Sequence, residues 1–193
     1  MRSTLRLAAA GLAGLLALAT PVAASASPGH STGAEPAVFV QTDNPAGNQI
    51  VGYRRASDGT LTWAATYGTG GMGGVLNGSA VDHLASQGSL AYDGAGDLLL
   101  AVNAGSNTVS VFSVDGQHLH LRQVVDSGGT FPVSIAAEGD LVYVLNALDG
   151  GDVAGFRADG GRLHPIPGSV RSLGLVTPSD SNQFTHTPGQ VVF

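Results

Sequence analysis

The stretch DLLLAVNA at residues 97–104 decides the fold, because it recurs as DLVYVLNA at residues 140–147. A weaker copy, AVFVQTDN, occupies residues 37–44. A short polar turn and a second apolar run follow every copy, and each second run carries an aromatic residue at the matching position. These aromatic residues are Tyr53, Phe112 and Phe156. The period is roughly 43 residues, which indicates three copies of one structural unit.

An Asp-Gly pair follows each second run and marks a hairpin. The pairs begin at Asp58, Asp115 and Asp159. Asp-Gly readily adopts the positive φ angles of a type I′ turn, so we predict this turn type at all three pairs. A third apolar run follows each turn, and a fourth run opens the next copy. The fourth runs lie at residues 88–92, 131–136 and 187–193. Four short strands in a period of this length are typical of a β-propeller blade.

The run LLLAV at residues 98–102 contains no polar residue. A strand with one face in water would alternate between apolar and polar residues, so we expect neighbouring units to cover both faces of this strand. We therefore predict an all-β fold, a β-propeller built of four-stranded antiparallel blades. The chain accounts for about three to three and a half blades, and known propellers close with about four to eight. We expect that missing C-terminal blades of a longer product, or self-association, close the propeller.

The first residues are typical of a secretory signal peptide. Arg2 and Arg6 precede an apolar run at residues 7–19, and small residues at 24–26 form a cleavage site. We expect removal of residues 1–26 and a secreted, extracellular protein. A flexible leader at 27–36 then precedes the partial propeller at 37–193. The predicted repeats are approximately 37–87, 88–130 and 131–186, with the first strand of the next blade at 187–193.

Composition excludes several classes of function. The chain has no Cys, so neither a disulfide nor a Cys-ligated zinc can stabilise the fold. All eight basic residues are Arg, which excludes Schiff-base chemistry on lysine. Without residues 1–26 the chain keeps six Arg against fourteen Asp and Glu, a formal charge of −8. We therefore expect no nucleic acid and no anionic membrane as a partner.

The segment LLAVNAGSNTVSV at residues 99–111 resembles the YVTN-type propeller repeat, and LVYVLN at 141–146 resembles it again. The longer register, with SQGSLA at 86–91 and TPGQVVF at 187–193, is similar to the lactonase family of seven-bladed propellers. That family includes bacterial phosphogluconolactonases and fungal carboxymuconate-lactonizing enzymes. The resemblance implies an N-terminal part of a seven-bladed propeller. It also implies a secreted, lactonase-like protein that hydrolyses a small, sugar-derived or carboxylated lactone at one end of the central channel.

Two insertions interrupt the repeat, at residues 72–87 and at about 176–184. Both lie between a third strand and the next inner strand, and in propellers such loops gather at one end of the channel, where function is common. Asp82 and His83 in the first insertion, followed by Gln87, place an acid, a base and an amide at that end. General acid–base hydrolysis of a lactone needs these groups. The alternative is a solvated loop.

A second group of candidates lies where inner strands begin. His186 and Gln190 precede and open the last inner strand, and Ser134 stands at the corresponding position one repeat earlier. Such positions point toward the channel. We take Asp82, His83 and His186 as candidate catalytic residues and Gln87, Ser134 and Gln190 as candidate ligand-binding residues. A water-lined structural channel is the alternative.

Three other patterns favour structural roles. His118 and His120 share one face of a strand, but the matching positions in the next repeat are Arg162 and His164, which indicates a polar outer face and not a metal site. The glycines at 68–73 fit G-x-G-x-x-G, yet no helix follows, so dinucleotide binding is not expected. Asn103 and Asn146 precede turns, where Asn commonly bonds the backbone. No cofactor and no metal are predicted.

The fold leaves the class of function open. Propellers serve both as enzymes and as binding modules. The alternative to a lactonase is a non-enzymatic extracellular propeller that binds a protein or a glycan.

Overall fold

A computed structural model describes residues 36–176 and 182–193, so the predicted signal peptide and most of the predicted leader lie outside the described residues. In chain order the strands are β1 (Ala37–Gln41), β2 (Gln49–Arg55), β3 (Leu61–Gly68), β4 (Leu90–Asp93), β5 (Leu98–Asn103), β6 (Thr108–Asp115), β7 (His118–Asp126), β8 (Pro132–Glu138), β9 (Leu141–Asn146), β10 (Asp152–Asp159), β11 (Arg162–Pro165) and β12 (Arg171–Ser172). The described helical segments are single 3₁₀ turns at Ala104–Ser106 and Gln183–Thr185. In this part of the chain no helix is long and apolar enough to cross a membrane.

The strands form three antiparallel sheets in which neighbours in sequence are neighbours in space. Sheet I contains β1, β2 and β3 in that order, and sheet II contains β4 to β7. Sheet III contains β8 to β11, with β12 paired to the first two residues of β10. Each sequence repeat thus forms one sheet, which confirms the prediction of an all-β fold made of antiparallel sheets. Sheet I has only three strands.

The hairpins lie at the predicted Asp-Gly pairs, but their turn type differs from the prediction. Positive φ angles occur at the glycines, with values of 89° at Gly59, 58° at Gly116 and 56° at Gly160. None of the preceding aspartates has a positive φ. A type I′ turn needs positive φ at both central residues, so the prediction of Asp-Gly type I′ turns is wrong. The third hairpin meets that requirement with Gly160 and Gly161 instead.

The core lies on both faces of sheet II. Leu98, Leu100 and Val102 of β5 belong to a buried cluster with β8, β9 and β10 of sheet III. Leu99 and Ala101, which point the opposite way, form a second buried cluster with sheet I. All six residues of β5 are buried. The prediction that neighbouring units cover both faces of this strand is therefore confirmed.

A buried polar seam joins sheets I and II above the apolar core. Asn103 accepts a hydrogen bond from Asn48 Nδ2 at 3.0 Å and donates to Ser110 Oγ at 2.8 Å. Ser110 Oγ donates in turn to the carbonyl of Thr69 at 2.7 Å. Asn103 is thus structural, as predicted, although its partners are side chains and not the local backbone. Because these polar atoms are buried, their hydrogen bonds fix how the two sheets sit together.

The segment at residues 187–193 runs beside β8. Val191 N donates to Ser134 Oγ at 3.2 Å, and Gln87 N donates to the carbonyl of Gly189 at 2.9 Å. The Phe193 ring contacts the Tyr143 ring edge-on, with centroids 5.5 Å apart. Within the described residues this segment has no ladder partner.

Candidate functional site

The connection between β3 and β4, residues 69–89, is called the insertion loop. Its backbone forms hydrogen bonds with a loop of sheet I and with a loop of sheet II. Gly73 N donates to Asn44 O at 3.0 Å, and Gly105 N donates to Met72 O at 3.1 Å. Asn44 lies between β1 and β2, and Gly105 lies between β5 and β6. The insertion loop, the β1–β2 connection and the β5–β6 connection therefore meet at one end of sheets I and II.

Close packing explains the glycines of this loop. A Cβ at Gly73 would lie 2.2 Å from the carbonyl oxygen of Asp43, and a Cβ at Gly71 would lie 2.5 Å from the Asn103 side chain. Neither position has room for a larger residue. Gly71 and Gly73 are therefore required by their contacts with the ends of sheets I and II, whereas a Cβ at Gly68, the first glycine of the G-x-G-x-x-G spacing, would meet no atom within 4 Å.

An acid and an imidazole meet where the insertion loop crosses the β1–β2 connection. His83 Nδ1 lies 3.9 Å from Asp43 Oδ2. The His83 side chain is 47% exposed, whereas the Asp43 side chain is only 16% exposed. Asp43 Oδ1 accepts a hydrogen bond from Gly74 N at 3.2 Å, and Oδ2 is buried without a hydrogen-bond partner. The arrangement is a sheltered carboxyl behind an imidazole that water can reach.

Burial raises the pKa of the Asp43 carboxyl to about 6. The hydrogen bond from Gly74 N and the nearby His83 favour the charged form and lower the pKa, but by less than desolvation raises it. The neighbouring Asp82 carboxylate raises it further. A carboxyl whose pKa lies near neutrality can exchange a proton under physiological conditions, which is the property that acid–base catalysis requires.

Three of the sequence candidates line one shallow cleft beside this pair. Asp82, Gln87 and Gln190 surround a hollow of about 290 Å³, together with Ala85, Ser86 and Gly189. The Gln87 N–H bond to Gly189 O joins the two walls of the cleft. Two carboxamides and one carboxylate around an open hollow can accept and donate hydrogen bonds to an oxygen-rich ligand.

The structure places the other candidates differently. Ser134 is fully buried beneath the cleft, and its hydroxyl accepts the hydrogen bond from Val191 N. His186 is exposed at the end of the second 3₁₀ turn, with Nδ1 2.8 Å from Thr185 Oγ1 and 3.1 Å from the carbonyl of Asn182. It does not line the cleft of Asp82, Gln87 and Gln190.

Sequence reasoning missed Asp43. In the aligned copies the first repeat carries Asp43 where the others carry Asn103 and Asn146, and this departure from the repeat was the available signal. Within the described residues no group of three His, Asp or Glu side chains converges to hold a metal ion. His118 and His120 are exposed on β7 and flank the buried Leu119, as expected of an outer strand.

Comparison with solved structures identifies the type of fold. A functionally unknown protein from Desulfotomaculum acetoxidans superposes with a TM-score of 0.54 and 17% identity, over 73% of this chain and 40% of that protein. The periplasmic gluconolactonase of Pseudomonas aeruginosa superposes with a TM-score of 0.51 and 19% identity, over 72% of this chain and 39% of that enzyme. No family model and no curated protein sequence matches this chain.

These comparisons give the protein a lactonase-like fold. Structures at such low identity are informative about the fold and not about the reaction. This chain spans about 40% of the length of each of the two proteins. What the whole proteins do therefore reaches this chain only as a proposal.

Proposed function

We propose that sheets I, II and III are successive blades of a β-propeller and that the protein is an exported lactonase acting on a small, sugar-derived lactone. Three observations support the propeller: the repeat of roughly 43 residues, the coverage of sheet II on both faces, and the likeness to a gluconolactonase. The signal-like sequence at 1–26 and the polar leader at 27–36 support export. In this proposal the reaction takes place at the end of the sheets where the insertion loop lies.

The Asp43–His83 pair is the observation that carries the proposal. His83 is exposed enough to contact a water molecule, so it acts as the general base. It takes a proton from that water while the oxygen attacks the lactone carbonyl carbon. The ring C–O bond then breaks, and the proton passes from the imidazolium to the leaving alkoxide, which gives the open-chain hydroxy acid. Asp43 does not touch the substrate; it is a positioning residue that favours the imidazolium formed during the reaction.

The cleft beside the pair supplies binding groups. Gln87 and Gln190 offer amide donors and acceptors for the hydroxyl groups of a sugar-derived ring. Asp82 accepts hydrogen bonds from such hydroxyls. In this proposal Ser134 acts indirectly, because its hydroxyl holds the backbone at Val191, one residue after Gln190.

Acid release from a panel of lactones, followed by titration at constant pH, tests the proposal. The panel contains five- and six-membered sugar lactones and one aromatic lactone. We expect the wild-type chain to hydrolyse at least one of them, and His83→Gln to lower kcat by about 10²–10⁴-fold, the usual contribution of a general base. His118→Gln is the matched control, because His118 is an exposed imidazole on the outer strand β7.

Two outcomes would contradict the proposal. Equal losses in His83→Gln and His118→Gln would remove His83 from the mechanism. A wild-type chain that releases no acid above the buffer background is not a lactonase. Binding of the same sugar lactones without hydrolysis, measured by calorimetry, would then favour a binding propeller.

A further inference from the structure

In the part of the chain that the structure describes, sheet I lacks a strand that sheets II and III both possess. In sheet II, β4 pairs with β5, and in sheet III, β8 pairs with β9. The strand equivalent to β5 and β9 in sheet I is β1, and in the described residues its only partner is β2. Among residues 36–176 and 182–193, none pairs with the edge of β1 where an inner strand belongs.

The backbone of this edge is available for pairing. Thr42 N donates to Gln49 O, and Arg55 N donates to Pro36 O. In an antiparallel ladder the direction of the hydrogen bonds alternates along the strand, so Ala37, Phe39 and Gln41 direct their N–H and C=O groups away from β2. The side chain of Gln41 adds an orphan acceptor, since its Oε1 is buried without a partner. A row of unpaired backbone groups is a template for another strand.

A groove lies along this edge. Its volume is about 710 Å³, and Ala37, Val38 and Phe39 of β1 form one wall. Leu90 and Tyr92 of β4, with Leu99 and Val114, form the other. The lining is mostly apolar, and it would cover the side chains of an inserted strand on the side that faces sheet II.

A segment that resembles an inner strand in sequence, residues 187–193, joins none of the three described sheets. The sequence at 187–193 matches the start of β8, with Pro188 at the position of Pro132 and Val191 at that of Ile135. The segment lies beside β8, where Val192 is 72% exposed and Phe193 is 55% exposed. Sheet II lies between sheet III and sheet I, so a segment held at sheet III cannot reach β1 of its own chain.

We propose that residues Gln190–Phe193 of a second copy of this chain add to the free edge of β1, and that the exchange is reciprocal. Each copy then supplies the strand that the other lacks. The outer face of sheet I, where Val40 is 48% exposed and Trp63 is 63% exposed, becomes covered by sheet III of the partner. The strand addition itself does not depend on the lactonase proposal.

The repeat fixes the register of this pairing. In sheet II, Ala91 pairs with Leu100, and Leu90 pairs with Ala101. The pairing of β1 with β2 matches the pairing of β5 with β6, and it makes Phe39 the counterpart of Leu100 and Val40 the counterpart of Ala101. Val192 of one copy therefore lies opposite Phe39 of the other and exchanges backbone hydrogen bonds with it. Val191 lies opposite Val40, in a pair without hydrogen bonds, where the side chains are closest.

The native chain has no Cys, so engineered disulfides report the register directly. We expect Val40→Cys/Val191→Cys to form a disulfide between copies on air oxidation. Val40→Cys/Val192→Cys is the matched control, because a shift of one residue turns the second thiol to the other face of the strand. The control should remain uncrosslinked. Equal crosslinking of both pairs, or of neither, would overturn the proposed register.

Sedimentation equilibrium tests the association itself. We expect the wild-type chain to have twice the mass of one copy, and Val192→Pro to have the mass of one copy, because proline removes the N–H that faces Phe39. Val192→Thr keeps the N–H and the branched shape, so it should remain a dimer. Circular dichroism shows whether Val192→Pro keeps its sheets. A wild-type monomer at every concentration would overturn the proposal and leave the lactone assay unaffected.

Discussion

Sheets I and II are copies of one unit in different surroundings. Every residue of β5 in sheet II is buried, whereas no residue of β1 in sheet I is. Phe112 in sheet II is 1% exposed, whereas its counterpart Tyr53 in sheet I is only partly buried. Trp63, which pairs with Tyr53 on the next strand, is 63% exposed. Both units have apolar residues on two faces, but only sheet II has a sheet on each side. Burial in this fold is thus a property of neighbouring sheets, as in other repeat proteins, where each unit is stabilised by its contacts with the next.

The largest expected difference in stability is between substitutions of Phe112 and of Trp63. Phe112→Ala should lower the free energy of unfolding by about 3–5 kcal/mol, because it opens a cavity between sheets I and II. Trp63→Ala, introduced into the Val192→Pro monomer, should change it by less than about 0.5 kcal/mol, as expected for a surface substitution. Urea denaturation followed by circular dichroism measures both. Similar losses for the two variants would break the comparison and show that Trp63 is covered in solution.

The buried amides should show a smaller difference of the same kind. Asn103 has partners for both of its amide atoms, so Asn103→Ala leaves Asn48 Nδ2 and the Ser110 hydroxyl with fewer bonds. We expect a loss of about 1–3 kcal/mol. Asn146 donates to Asp152 Oδ1 at 2.8 Å, but its own Oδ1 is buried without a partner. Asn146→Ala removes that orphan acceptor and should cost less; the opposite order in urea denaturation would contradict the role of the seam between sheets I and II.

The sequence was sufficient to predict the sheets, because their signal is repeated and local. The run at 98–102 indicated a strand covered on both faces, and the structure covers it with two sheets. The register of the first copy was not predictable. The sequence alignment matches residues 37–44 with 97–104. The strand pairing in the structure instead makes Gln41 the counterpart of Val102, a shift of one residue. Such a shift exchanges the two faces of a strand. The β1–β2 connection absorbs the difference.

The candidate site was predicted in part. Asp82, Gln87 and Gln190 line one cleft because the insertion loop and the segment at 187–193 meet there, which the repeat pattern implied. The partner of His83 was not predicted, since Asp43 lies 40 residues earlier in a connection that interrupts the repeat. The burial of Ser134 also depended on Val191 lying across it. Contacts between connections of different sheets are not encoded in the period of the strands.

A pH-dependent difference should distinguish Asp43 from the exposed carboxylates of the same loops. Its pKa in the folded chain, about 6, lies above the ordinary value of 3.8, so the folded state binds the proton more tightly than the unfolded state. The stabilisation is complete below pH 4 and is lost as the pH rises through about 6. Asp43→Asn, which tolerates the φ of 50° at this position, should remove that loss. Urea denaturation from pH 4 to 7 measures it.

Asp82→Asn is the control for this measurement, because Asp82 is an exposed carboxylate of the neighbouring insertion loop. The stability of Asp43→Asn relative to wild type should increase between pH 4 and 6 and then remain constant. Asp82→Asn should show only a small part of this change, because the Asp82 carboxylate is the smallest of the influences on the pKa of Asp43. A decrease for Asp43→Asn over that range would mean that the folded chain prefers the charged carboxylate. The contacts of the carboxylate with Gly74 N and His83 would then outweigh its desolvation, contrary to a raised pKa.

The smallest effect is expected at the ion pair of Arg157 and Asp140 on sheet III. Both side chains are more than half exposed, so solvent and salt screen their attraction. The coupling energy from a double-mutant cycle of Arg157→Ala and Asp140→Ala should be about 0.2–1 kcal/mol and should disappear at 1 M salt. Arg157 lies on the side of β10 opposite the buried Phe156, and therefore on the face that the proposed second copy would cover. A coupling energy that increases with protein concentration would show that the Arg157 face of sheet III is covered in solution, as both faces of sheet II are. A coupling energy that is independent of protein concentration and falls with salt is expected if this face remains exposed to water.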